Sequence, residues 1–371
     1  MSYLLAFAGF AALIILHELG HFVAAKAVGM RVERFALFFP PLVARWRPKN
    51  SETEYGLGAI PLGGYVKITG MSPHEEMPAE LAHRAYFRQK VWKRVVVISA
   101  GPAVNIVLAF LILWVLFLAQ GRPVPGVAVL ETQSPPASGV LKEGDLILSV
   151  DGVPGHAPGL SDEEIAKRIA ALRKAIASHT CAGRRTDGCR AADAAQVVIR
   201  REGRTIALPI APRYDAAAKR MLVGFSFGAR EDLSVLGAAE HSVAGMWRIT
   251  TITVDNIVRL FYDKEAREQV SGVVGSYEAT RQSFEFDTVR AVTVLALISL
   301  SLGIINLFPF LPLDGGHIFW ALAEKLRGRA ISFQVIERAS IVGFMLVLFL
   351  FYVGLSNDIG RLSSGEGFGV R

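Results

Sequence analysis

The sequence predicts a polytopic α-helical membrane protein with about four transmembrane helices, a glycine-rich β-hairpin and one inserted extracytoplasmic α/β domain. Three observations lead there. First, 52% of the 371 residues are apolar, more than soluble domains carry, and the excess sits in runs at 3–28, 95–119, 289–311 and 340–355. Each run approaches the roughly 20 residues that cross a hydrocarbon core about 30 Å thick. Second, basic residues concentrate between the first two runs (Arg31, Arg45, Lys90 and Arg94 among them) and between the last two (Lys325, Arg327, Arg329, Arg338). Third, residues 123–230 change character, with short alternating stretches such as Val127–Leu130 and Gln196–Arg200 separated by Gly, Pro and Asp turns.

The first run has no basic residue before Lys26 and carries His17, Glu18 and His21 near its end. A cleaved leader has no use for those polar groups, so the run is expected to stay as a span. The net charge of +7 follows topology rather than a nucleic-acid footprint. By the positive-inside rule, loops 29–94 and 313–338 are cytoplasmic, and the N-terminus and the 122–288 segment lie outside. The expected location is the cell's inner (plasma) membrane, crossed several times, with the lipid bilayer as a partner and no nucleic acid. Oligomeric state is left open.

Four regions follow. Residues 1–121 hold the first span, a hairpin at 52–70, an amphipathic helix at 80–94 and the second span at 95–119. The hairpin is expected because Gly56, Gly58, Gly63, Gly64 and Gly70 break short apolar stretches. Residues 122–230 form the outer α/β domain, within which 156–195 reads as an insertion holding one helical piece near 161–177. Residues 231–288 connect it, by a helical segment, to the C-terminal membrane core at 289–371. Cys181 and Cys189 flank a polar stretch in the outer segment, where an oxidising compartment permits a bridge; two free thiols are the alternative.

His17-Glu18-Leu19-Gly20-His21 carries the strongest chemical signal. On a helix, His17 and His21 at i and i+4 present two imidazoles to one metal ion. Glu18 projects about 100° round from His17, within reach of a water on that ion without ligating it. Ionisable groups inside a span cost roughly 2.5–3.5 kcal/mol each on insertion scales, which marks them as functional candidates. A catalytic zinc site usually takes three protein ligands. Asp314, the one carboxylate in the apolar neighbourhood of 306–317, is the candidate third, with Pro309 and Pro312 breaking the third span beside it. His317 lies past Gly315-Gly316, and a supporting or structural role suits it better.

Together, His17/Glu18/His21 and Asn306/Pro309/Leu313-Asp314-Gly315 resemble the paired motifs of the site-2 protease family of intramembrane zinc metalloproteases. Gly101-Pro102-Ala103-Val104-Asn105 is similar to the Gly-Pro-x-x-Asn motif of that family's second span, and 55–70 to its membrane-associated β-hairpin. Ser134–Gly152 looks like part of a PDZ domain, so the arrangement resembles that of a family member with a single PDZ-like domain. Phe38-Phe39-Pro40-Pro41 and Val270–Gly275 depart from the family's Gly-x-Gly-Pro and Ser-Gly-Pro patterns.

The resemblance implies one Zn²⁺ per chain held by His17, His21 and Asp314, with Glu18 as general base. It also implies a transmembrane protein substrate, of anti-sigma factor or remnant signal peptide type, cut by regulated intramembrane proteolysis. Gly63, Gly64 and Tyr65 are then candidates for receiving unwound substrate along the hairpin edge. Asn306 and Asn105 are candidates for binding substrate backbone or an oxyanion. An interhelical hydrogen bond is the alternative, and the favoured one for Asn105. A membrane-anchored zinc peptidase with a cytoplasm-facing site, and a non-catalytic metal-binding scaffold or transporter, stay open as other readings.

Overall fold

Residues 2–27 are apolar almost throughout and contain no proline, and they form α1 (Ser2–Ala27) in the computed structural model, which describes residues 1–71, 77–132, 135–216, 218–329 and 331–364. Of the positions singled out above, Ser134 and residues 365–371 lie outside the described residues. The chain divides into two units, one comprising Met1–Val115 with the chain from Ala239 onward, the other comprising Leu116–Ala238.

In the first unit, α1 buries Leu13, His17, Gly20, His21 and Ala25, spaced three and four apart as one helical face requires. After it come β1 (Val32–Trp46) and β2 (Glu54–Ile68), two long bent strands. Val32–Leu37 pairs with Gly64–Ile68 on one side and with 54–57 on the other, while 42–46 pairs with 55–58. The sheet therefore differs from a hairpin closed within 52–70: β2 is one arm, and its partner is the alternating stretch from Val32. Phe38, at the bend of β1, has φ +68°, the left-handed region that glycine favours. That conformation fits a turn where the related pattern places glycine.

The amphipathic helix expected at 80–94 does not form as one element. Ala79–Arg84 and Tyr86–Arg88 make short 3₁₀ turns, and the amides of Tyr86 and Phe87 donate to the carbonyls of Thr69 and Gly70. Those donors are thereby lost to an α-helical ladder. Tyr86 is buried with Met30, Val32, Ile68, Val97 and Ile98, a small core joining α1 to the sheet and to α2 (Val91–Gln120).

The second unit carries β3 (Arg122–Thr132), β4 (Leu146–Val150), β5 (Val153–Pro154), α3 (Asp162–Ala177), β6 (Ala195–Arg201), β7 (Arg204–Ile210), β8 (Arg213–Asp215), β9 (Arg220–Leu222) and β10 (Phe225–Glu231). The main sheet runs β10-β3-β4-β6-β7, with β5 beside β4, and β8 pairs with β9. Ser161 and Glu164 form a capping box that starts α3. Leu172 and Ile176 of that helix are buried against Val129, Ile147, Val150, Val197 and Ile199. The helix within the 156–195 stretch, expected there near 161–177, supplies part of the core. Cys181 and Cys189 are joined as a disulfide.

The chain returns to the first unit through α4 (Val235–Arg259), followed by α5 (Lys264–Gln269), α6 (Val273–Phe286), α7 (Thr288–Asn306), α8 (Asp314–Arg327) and α9 (Phe333–Ser364). Among the described residues four helices are long and apolar enough to cross a membrane: Ser2–Ala27, Val91–Gln120, Thr288–Asn306 and Gln334–Ser363. The buried Asp358 of α9 accepts hydrogen bonds from the Gly272 and Gly275 amides at 3.0 and 2.7 Å, capping α6.

In the second unit, buried Asp145 accepts from Arg201 Nε at 2.7 Å, Arg201 Nη2 at 2.6 Å and the Lys142 amide at 2.8 Å. Burial opposes its charge, yet Arg201 and the Lys142 amide together hold the carboxyl below the usual carboxylate range. Such a group contributes stability above the unfolded value of about 3.9 and loses it as pH falls through the lower folded value. Asp145→Asn is expected to destabilise this unit by about 1–3 kcal/mol at neutral pH. Thermal melts of both proteins should show the gap narrowing below about pH 4; a gap independent of pH would refute the assignment.

Candidate metal centre

The centre is built from the two ends of the chain. On α1, the four-residue spacing brings Nε2 of His17 and Nε2 of His21 to 3.3 Å. From the other end, α7 stops at Asn306, and Pro309 and Pro312, which lack amide donors, hold the chain in an irregular turn. α8 then opens with Asp314, whose carboxylate sits in the first turn, where the helix dipole favours negative charge. Asp314 Oδ2 lies 3.2 Å from each imidazole Nε2. At its far end α8 is tied to the start of α2 by a paired contact, Arg94 Nη1 and Nη2 donating to Glu324 at 3.0 and 2.8 Å.

These three atoms form a near-equilateral triangle with edges of 3.2, 3.2 and 3.3 Å. Corners of a tetrahedron round an ion with bonds of about 2.0 Å lie about 3.3 Å apart, so the donor set fits zinc. The hydrogen bonding points the same way. Asp314 Oδ2 is buried and makes no properly directed hydrogen bond, although both nitrogens are within 3.2 Å. A buried carboxylate oxygen left in that condition is costly unless a cation shares it. Among the described residues, the cluster that could hold a metal ion is His17, His21 and Asp314.

Each imidazole is held from behind by α2. His21 Nδ1 donates to the Val97 carbonyl at 2.9 Å, which leaves Nε2 free to ligate. His17 Nδ1 lies 3.3 Å from Asn105 Nδ2. Between these two contacts is Gly101, where a Cβ would stand 2.3 Å from His21 Nε2 and 2.9 Å from His17 Cε1. Only a residue without a side chain lets α2 pass this close to both rings. Ser299 of α7 donates to the Asn105 backbone carbonyl at 2.9 Å.

Glu18, next to His17, packs against β2: a Cβ on Gly64 would lie 2.8 Å from Glu18 Cγ. Gly64 thus sets one edge of the sheet beside the candidate base. Its neighbours turn elsewhere. The Tyr65 hydroxyl accepts from Arg34 at 3.2 Å and its ring stacks on Phe39, while a Cβ on Gly63 would meet the Phe39 ring. Asn306 is half-buried at the end of α7 with no side-chain hydrogen bond among the described residues. His317 is half-buried and stands outside the ligand cluster. Sequence reasoning missed the Val97 carbonyl, which no side chain announces, and the Arg94–Glu324 pair. A charge placed at each helix end was the only available sign of the latter.

Residues 5–350 match Peptidase family M50. Similar relatives include one from Rhizobium meliloti, 29% identical with 94% of both chains covered, and one from Nostoc sp., 31% identical over 94% of this chain and 93% of the relative. A third, from Clostridium acetobutylicum, is 26% identical over 96% of both chains. Each bears the name "putative zinc metalloprotease".

Gly101→Ala is expected to weaken zinc binding at least about tenfold by displacing the imidazoles, although alanine raises helix propensity by about 0.5–1 kcal/mol. Chelator competition and thermal unfolding of the same sample separate the two effects. Wild-type affinity in this variant would mean that α2 does not press on the ligands.

Proposed function

The chain belongs to Peptidase family M50, the site-2 protease family of zinc metalloproteases, and from that premise we propose that it is an intramembrane endopeptidase performing regulated intramembrane proteolysis. Its substrates are single-span membrane proteins, of anti-sigma factor or remnant signal peptide type. The observation that carries the reading is the triangle of His17, His21 and Asp314 assembled beside apolar helices long enough to span a bilayer. These residues would hold one Zn²⁺ per chain.

When bound, zinc supplies Lewis acidity that activates water near neutral pH and polarises a carbonyl. His17, His21 and Asp314 fix that chemistry at one point inside the membrane unit. Glu18 takes a proton from the attacking water and passes it to the departing amine nitrogen, a role for a carboxylate that sits beside the ligands without joining them. The Asn306 side chain, half-buried and with no hydrogen bond among the described residues, is available to a substrate carbonyl.

A transmembrane substrate must exchange helical hydrogen bonds for others, because exposing a peptide group in lipid costs several kcal/mol. The edge of β2 at Gly63, Gly64 and Tyr65 offers replacement partners by strand addition, and the close contact of Gly64 with Glu18 supports that use. The 122–230 domain is PDZ-like and extracytoplasmic in this reading. It selects substrates by binding C-termini or by excluding those with large outer domains. The protein resides in the inner membrane, with loops 29–94 and 313–338 in the cytoplasm.

Glu18→Gln should retain zinc and lose cleavage of single-span substrates by roughly 10²-fold or more. Metal analysis and a cleavage assay on one purified preparation check both halves. Wild-type turnover in this variant would overturn the base assignment, and loss of zinc would make Glu18 a ligand instead.

A further inference from the structure

Asn105 is wholly buried in α2, at a depth where a polar side chain needs a partner. Its amide nitrogen lies 3.3 Å from His17 Nδ1, whereas its amide oxygen has no partner among the described residues. This half-satisfied arrangement points to a specific task.

An imidazole that ligates a cation through Nε2 keeps its proton on Nδ1 and so becomes a donor there. His21 meets that requirement with the Val97 carbonyl at 2.9 Å. For His17 in the same condition, the Asn105 NH₂ would face another donor while the orphaned Oδ1 stood beside it. A half-turn of the amide, which leaves its shape unchanged, brings Oδ1 onto Nδ1–H. The backbone supporting that side chain is itself anchored, since Ser299 Oγ donates to the Asn105 carbonyl at 2.9 Å.

We propose that Asn105 is a positioning residue for His17, its side-chain oxygen accepting a hydrogen bond from Nδ1–H and so aiming Nε2 at the cation. This rests on the zinc reading given above. It assigns the two imidazoles different supports: His21 leans on a backbone carbonyl that can only accept, His17 on an amide that can accept or donate. His17 therefore has a partner with or without the metal. In the one case Nδ1–H donates to Oδ1; in the other Nδ2–H donates to a bare Nδ1.

The test measures zinc affinity of the full-length protein in detergent by competition with a chelator, for wild type, Asn105→Leu, Asn105→Asp and Ser299→Ala. Leucine keeps the volume and removes the acceptor, and should weaken zinc binding by about 10–100-fold, the usual effect of losing a ligand's hydrogen-bonding support. Aspartate keeps only acceptors and should bind zinc near the wild-type level. Ser299→Ala removes the anchor on the Asn105 backbone but leaves the acceptor in place, and should weaken zinc binding by less than Asn105→Leu does.

If Asn105 served packing alone, aspartate would bury a charge and lose at least as much affinity as leucine; that ordering overturns the proposal, as does unchanged affinity in Asn105→Leu. Should the leucine variant fail to fold, the aspartate variant decides alone, because a required amide donor would make its affinity collapse. Failure of the underlying reading looks different: wild type itself would bind no zinc, or His17→Ala would bind it as wild type does.

Discussion

Two imidazoles and a carboxylate packed at 3.2–3.3 Å inside an apolar helical unit are costly by themselves. Without a shared cation the carboxylate oxygen has no directed hydrogen bond, and the protein gains nothing in stability that ordinary apolar packing would not supply better. The surrounding structure makes sense as the means of holding that arrangement. α1 brings the histidines onto its buried face, the break after α7 allows a carboxylate to start α8, and α2 passes behind both rings.

Close approach is the recurring device. Gly101 lets α2 lie against the imidazoles, and Gly64 lets the edge of the sheet lie against Glu18. Between them these two glycines place the candidate ligands, the candidate base and a strand edge within one small volume. Such proximity suits peptide hydrolysis, where an unwound segment must lie extended next to the attacking group. The Arg94–Glu324 pair secures the opposite end of α8, so that the helix carrying Asp314 is fixed at both ends.

The sequence displayed the members of its candidate metal centre more clearly than its folding. His17, Glu18 and His21 are readable because helical spacing is local, and Asp314 because a lone carboxylate beside two prolines is anomalous in an apolar run. The four apolar runs correspond to helices for the same reason: length and composition suffice. What needed distant partners was hidden. Nothing within 52–70 shows that its ladder partner is Val32–Trp46, because register depends on chain far outside the window. The amphipathic spacing at 80–94 was present, but the Thr69 and Gly70 carbonyls compete for the same amides. Likewise the composition of 156–195 did not show that Leu172 and Ile176 complete a core whose other half comes from strands. Asn105 was recognised as part of a motif, yet its contact with His17 depends on how two helices cross.

X-ray absorption at the zinc edge of the purified protein tests the central claim most directly. The account predicts four nitrogen or oxygen scatterers at roughly 2.0–2.1 Å, two of them with imidazole signatures, and a first shell that changes when Asp314 becomes alanine. A shell identical in wild type and Asp314→Ala, or one containing sulfur, would contradict it.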